Sequence, residues 1–163
     1  MPTKRAAGAP RKAGRRTGPK LTLAVQYATR SSRVPARWQL RRWARAATER
    51  DARVTLRLVG KAEGRRLNRQ FRGRDYATNV LTFAYTDTDP LSGDIVLCAP
   101  LVVEEARAQG KTPEAHFAHL VVHGLLHLQG YDHERAGQAR VMETRETEIV
   151  TRLGYPDPYA LPA

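Results

Sequence analysis

Thr112-Pro113-Glu114 at one end and Gly130 at the other frame a stretch that reads as one helix. The Thr112 hydroxyl can cap the first free amides, and Pro113 at the first helical position sacrifices no hydrogen bond. The helix is predicted to run to about Gln129 and to stop at Gly130. Four of the chain's five histidines lie on it, at 116, 119, 123 and 127. At about 100° per residue, all four fall within an arc of roughly 80°.

The flanking patterns set the fold class. Leu21–Val25 alternates in part and predicts a strand; Val54, Leu56 and Leu58 alternate with polar residues and predict a second. Asn79–Ala84 and Asp94–Cys98 give two more, parted by the turn-rich segment from Thr86 to Gly93. Pro35 is expected in the first turn of a helix carrying Trp38, Leu40, Trp43, Ala44 and Ala47. A short arginine-rich helix spans about Lys61–Gln70, another runs from Pro100 to about Gln109, and the last covers roughly Gly137–Leu153. The expected architecture is α+β: a small mixed β-sheet of about four strands packed with about five helices, in a single domain.

The chain has 163 residues, of which 28 are basic and 16 acidic, a net charge of +12. An excess that large attracts polyanions, nucleic acid first among them. Seven of those charges lie in residues 1–20, between Gly, Ala and Pro and with no acid. This segment is expected to be a disordered basic tail, with the folded domain over residues 21–163. Nonspecific phosphate contacts, a solvated extension and a wrongly assigned start are equally compatible with it; composition does not choose. An arginine-rich, acid-free start also resembles an organelle targeting peptide, but it lacks the apolar face such a presequence needs.

No stretch reaches the ~20 apolar residues that cross a bilayer, so no membrane association is expected. The first twenty residues lack a signal-peptide core. Cys98, the single cysteine, excludes an internal disulfide and a cysteine-rich zinc cluster, and sits in an apolar run where a buried thiol is expected. A reducing, cytoplasmic setting follows.

His123 and His127, spaced i and i+4, project from one face a turn apart and can reach one cation at about 2.0–2.1 Å. Gly130 permits a sharp break, after which Tyr131-Asp132-His133 brings back a third imidazole. Three nitrogen ligands leave one tetrahedral position open, the arrangement of catalytic zinc; a fourth protein ligand would signal a closed, structural site. One Zn²⁺ ion on His123, His127 and His133 is therefore expected, although iron or nickel also accepts imidazoles. His116 and His119 are expected to pack or to support the ligands from behind.

The spacing H-x-x-x-H-x-x-G-x-x-H is also that of metzincin peptidases, in which a glutamate after the first histidine activates water. Here that position is Gly124, and neither Asp132 nor Glu134 lies on the equivalent helical face. A metallopeptidase is disfavoured.

Arg65, Arg66, Arg69, Arg72 and Arg74 crowd ten residues beside Phe71 and Tyr76. Most belong to a solvated basic face, but a guanidinium beside a metal could grip a phosphate in bidentate fashion. Residues 71–75 (FRGRD), 78–83 (TNVLTF), 93–95 (GDI), 114–116 (EAH), the histidine element 123–133, 146–149 (ETEI) and 153–155 (LGY) together resemble the YbeY family. The likeness covers roughly residues 50–160; Thr82 stands where serine is commoner.

This resemblance implies a zinc-bound, single-strand-specific endoribonuclease of the bacterial cytoplasm, maturing the 3′ end of small-subunit rRNA and serving ribosome quality control. Its partners would be single-stranded RNA and the small-subunit rRNA precursor, with ribosomal proteins or an assembly GTPase beside them. By position the ligands are again His123, His127 and His133, and the family's arginine falls on Arg72, whose role would be to bind the substrate phosphate. No residue is assigned as general acid. A ribosome-assembly factor with a mainly structural metal is the alternative.

Overall fold

The computed structural model describes residues 18–86 and 88–160. Four strands form one sheet: β1 (Leu21–Ala28), β2 (Ala52–Val59), β3 (Val80–Thr86) and β4 (Leu91–Cys98). Five helices surround it: α1 (Arg37–Ala46), α2 (Lys61–Arg72), α3 (Ala99–Ala108), α4 (Pro113–Leu128) and α5 (Ala136–Arg152). The expected α+β architecture is thus the observed one. The sheet order is β1-β2-β4-β3, with β1, β2 and β4 parallel and β3 antiparallel to β4. Both β1 and β3 are therefore edges, and β3 is the one beside the histidines.

Strand alternation divides the sheet into two apolar faces. Val54, Leu56 and Leu58 of β2 and Leu91, Ile95 and Leu97 of β4 join the main core with α4 and α1. Leu81, Val96 and Cys98 turn to the other face, where Leu67 of α2 and Leu101 of α3 pack on them. Helix α4 is the centrepiece, with eleven of its sixteen residues buried. It lies so close to β4 that a Cβ at Gly124 would stand 3.0 Å from two atoms of Ile95. The glycine at the place of the peptidase glutamate thus serves the contact between helix and sheet.

Local expectations mostly match, with shifted ends. Thr112 caps α4, its hydroxyl accepting from the Ala115 amide at 3.1 Å. Pro35 is not in the first turn of α1: the cap is Ala36, whose amide donates to the Gln39 side chain at 2.9 Å, and the Pro35 carbonyl accepts from the Tyr27 hydroxyl. Lys20 is tied in, its amide donating to Asp51 at 2.8 Å and its carbonyl accepting from Ala52 at 2.9 Å. The expectation of a disordered tail otherwise concerns residues 1–17, which lie outside the described residues. Cys98 is buried, and burial raises its thiol pKa, as an inert core cysteine requires. Among the described residues, no helix is long and apolar enough to cross a membrane.

Candidate metal centre

His123 and His127 lie one turn apart on α4, their rings nearly parallel at 16° with centroids 6.4 Å apart. The helix then ends on Gly130, whose φ of +103° suits a residue without a side chain. The Tyr131 amide donates back to the Leu126 carbonyl at 3.1 Å, and the chain reverses direction. Asp132 fixes the returning loop, its carboxylate accepting from the amides of His133 (2.7 Å) and Glu134 (3.2 Å). His133 arrives with its ring 5.6 Å from His123 and 6.0 Å from His127.

The helix histidines are held from behind. The Nδ1 of His127 is 3.0 Å from the Tyr131 carbonyl, which can only accept, so that nitrogen carries the proton and Nε2 keeps its lone pair. The Nδ1 of His123 is 2.8 Å from Glu146 of α5. Glu146 is completely buried and also accepts from the His119 Nε2 at 2.6 Å and from the Tyr159 hydroxyl. Burial alone would lift its pKa, but the bonds from His119, His123 and Tyr159 outweigh it and hold the carboxyl down, at about 2. As an anion it can only accept, so His123 also presents Nε2 forward. Burial and the Glu146 carboxylate push the Tyr159 phenol upward. His116 is a different case: burial, with smaller contributions from His119 and Lys111, depresses it to about 4, a neutral packing histidine at pH 7.

This donor set suits a borderline-soft divalent cation, with imidazole nitrogens freed on the cleft side by bonds at their other ring atoms. The tightest grouping differs from the trio read in the sequence. Ligand atoms of His127, Asp132 and His133 lie within 4.8 Å of one another, so a carboxylate stands beside the imidazoles. That carboxylate is already used by two backbone amides, which makes it first a loop brace.

The three histidines line a cleft of about 320 Å³ together with Arg72 and Arg74, and no carboxylate is among its lining residues. Arg72 ends α2; its guanidinium donates to the Thr82 carbonyl of β3 at 2.9 Å and lies 5.9 Å from the Phe83 ring centre. One donor is so occupied and the rest of the fork remains. Arg74 donates to the Tyr76 hydroxyl at 2.9 Å. The other arginines of the cluster do not line the cleft: Arg65 is paired with Asp75 at 2.8 Å, and Arg66 is 3.7 Å from Glu63.

Sequence reasoning gave no role to Glu146 and none to Asn68. Glu146 had a signal: it shares one face of α5 with Met142, Ile149 and Val150, and a carboxylate on an apolar stripe needs partners. Asn68 is buried in α2, and its side-chain amide donates to the Tyr76 carbonyl at 2.7 Å, steadying the loop that carries Arg74. Nothing local in the sequence marks it.

Fold and cleft together define a single-domain α+β protein built around a candidate histidine metal centre with an arginine wall. The family model described as "Endoribonuclease YbeY" matches residues 27–154. An Endoribonuclease YbeY of Aromatoleum aromaticum is 58% identical over 144 residues, covering 86% of this chain and 94% of that protein. One of Nitrosomonas europaea is 57% identical over 141 residues, covering 86% of each. The solution structure of TM1509 from Thermotoga maritima superimposes with a TM-score of 0.54 at 28% identity, covering 85% of this chain and 99% of that one. The chain belongs to the YbeY family.

Proposed function

We propose that this chain is a single-strand-specific endoribonuclease of the cytoplasm that cuts rRNA precursors, in small-subunit 3′-end maturation and ribosome quality control, with one Zn²⁺ held by His123, His127 and His133. The observation that carries the reading is one cleft lined by three imidazoles and two arginines and by no carboxylate, in a chain whose family model is named for an endoribonuclease. Arg72 and Arg74 make such a cleft positive where a phosphodiester must sit.

A cation there would supply Lewis-acid activation of water or of a ribose hydroxyl and would neutralise charge on the phosphoryl group. The chain's own residues do the rest. Glu146 and the Tyr131 carbonyl hold the protons on the Nδ1 atoms of His123 and His127, so that both rings keep Nε2 toward the cleft. Arg72, braced on the Thr82 carbonyl, offers its remaining donors to the non-bridging phosphate oxygens, where charge builds as the bond breaks. Gly124 faces Ile95 of the sheet, where a Cβ would stand 3.0 Å from two side-chain atoms, so the position that carries the water-activating glutamate in metzincin peptidases is here a close helix–sheet contact. The peptidase reading therefore lacks the glutamate that activates water in that class.

A second reading rests on Asp132. Should its carboxylate become a fourth ligand, the site would be closed, and the chain would be an assembly factor with a structural metal that binds rRNA, ribosomal proteins or an assembly GTPase without cutting. Purified wild type and His127→Ala, assayed side by side on single-stranded RNA with metal content measured on both, separate the two. The nuclease reading expects wild type alone to cut and to carry the ion. Equal RNA loss in both preparations, or none in either, would overturn it.

A further inference from the structure

Arg72 and Thr82 line two cavities. Besides the histidine cleft they border a larger one, of about 630 Å³, on the α2 face of the sheet. Its walls include Phe71 and Arg66 of α2 and Phe83, Tyr85 and Asp94 of the β3–β4 pair. The edge strand β3 therefore has the imidazoles on one side and this groove on the other, with one guanidinium reaching its backbone between them.

The groove differs in chemistry from the cleft. Its cations are largely spent: Glu63 takes Arg57 through two bonds at 2.6 and 2.8 Å and draws Arg66 to 3.7 Å. Asp94 adds a further carboxylate, accepting from the Tyr85 hydroxyl at 2.6 Å. That is a poor phosphate site. What remains open is aromatic surface: Phe71 is 56% exposed and Tyr85 63%. Phe71 is propped edge-on against Phe83, with centroids 5.2 Å apart. Of the seven large apolar side chains most exposed on the described surface, three (Phe71, Tyr76 and Tyr85) gather around Arg72. Exposed rings beside a carboxylate acceptor suit a flat heteroaromatic ring bearing amino groups, a nucleobase, and stacking on such rings is tolerant of base identity.

We propose that this groove is a nucleobase subsite: it holds the base of a nucleotide flanking the bond to be cut, while Arg72 holds the phosphate at the crossing between groove and cleft. The assignment rests on the ribonuclease reading above and adds where the strand runs, over the free edge of β3. Phe71 and Tyr85 act as binding residues, apart from the reacting atoms.

Single-stranded RNA oligonucleotides carrying one 2-aminopurine at successive positions test this against the intact, metal-loaded protein. Stopped-flow fluorescence reads binding before turnover. The subsite predicts quenching confined to one or two neighbouring positions. A Phe71→Leu/Tyr85→Leu double variant should abolish that quenching and raise KM roughly tenfold or more, with kcat little changed. Tyr85→Phe, which keeps the ring and loses only the bond to Asp94, should retain the quenching. Trp38→Leu, removing an exposed aromatic on α1, should change neither readout, and thermal melts confirm that each variant is folded. Unchanged quenching and KM in the double variant, with wild type cutting RNA normally, would overturn the subsite and leave the ribonuclease reading intact. RNA that binds with localised, variant-sensitive quenching but is never cut would sink the ribonuclease reading and keep the groove.

Discussion

Helix α4 and helix α2 wall the same cleft, yet α4 buries eleven of its sixteen residues whereas α2 buries only Gly64 and Asn68. The difference shows in how each holds its functional groups. On α4, His123 is fixed from behind by the buried Glu146, and His127 by a backbone carbonyl. On α2, the arginines are arranged by exposed ion pairs such as Arg65 with Asp75. Pairs of that kind are screened by salt and contribute little to stability. One wall supplies fixed geometry and the other supplies charge. A cation needs ligands placed within tenths of an ångström, while a polyanion passing over the surface needs only potential and a few well-placed forks.

The contrast is sharpest at Arg72, the α2 arginine that also bonds to the sheet. Arg72→Ala should lower kcat about 100-fold, the cost typical of losing one preorganised donor to a charge-bearing transition state, with metal content unchanged. Arg65→Ala, assayed beside it, should stay within about twofold of wild type. Equal losses in the two variants would mean that the α2 wall acts only as diffuse charge.

On the other wall, Glu146→Gln keeps the shape and removes the anion. It should weaken metal affinity by about 10- to 100-fold in a chelator competition, as expected when the partner of a ligating imidazole is altered. Unchanged affinity would show that α4 presents its ligands without support from α5.

A smaller effect reports the burial of α4 itself. His116 is held neutral, with a pKa depressed to about 4 by burial first and then by His119 and Lys111. In the unfolded chain it would protonate near 6.5, so the unfolded state takes the proton first. Its contribution to stability is therefore fully present above about 6.5 and is lost as pH falls toward 4, by roughly 1–3 kcal/mol. Urea melts at pH 7.5 and pH 5 should show that loss in wild type, and a smaller one in His116→Leu.

The same contrast explains what could be read in the sequence. End signals exposed α4, with Thr112-Pro113 opening it and Gly130 closing it where the chain must turn to return His133. The strands were legible by alternation, since Val54, Leu56 and Leu58 can alternate only if one face is covered. The sheet order was not, because the insertion of β4 between β2 and β3 is a long-range choice with no local signature. Nor was the Glu146 bond to His123, which joins residues 23 apart through the packing of α5 on α4. Among five arginines of like chemistry, residue pattern alone picks none: the family resemblance points to Arg72, and the fold adds that Arg72 and Arg74 line the cleft while Arg65 turns to Asp75. A polar surface tolerates many arrangements, and its sequence records none of them.

X-ray absorption on the zinc-loaded protein addresses the shared cation most directly. The account predicts one ion per chain with three histidine nitrogens at about 2.0–2.1 Å, a water-derived oxygen as fourth ligand, and an unchanged shell in Asp132→Asn. A shell that loses an oxygen ligand in Asp132→Asn, or one that keeps all its nitrogens in His123→Ala, would contradict it.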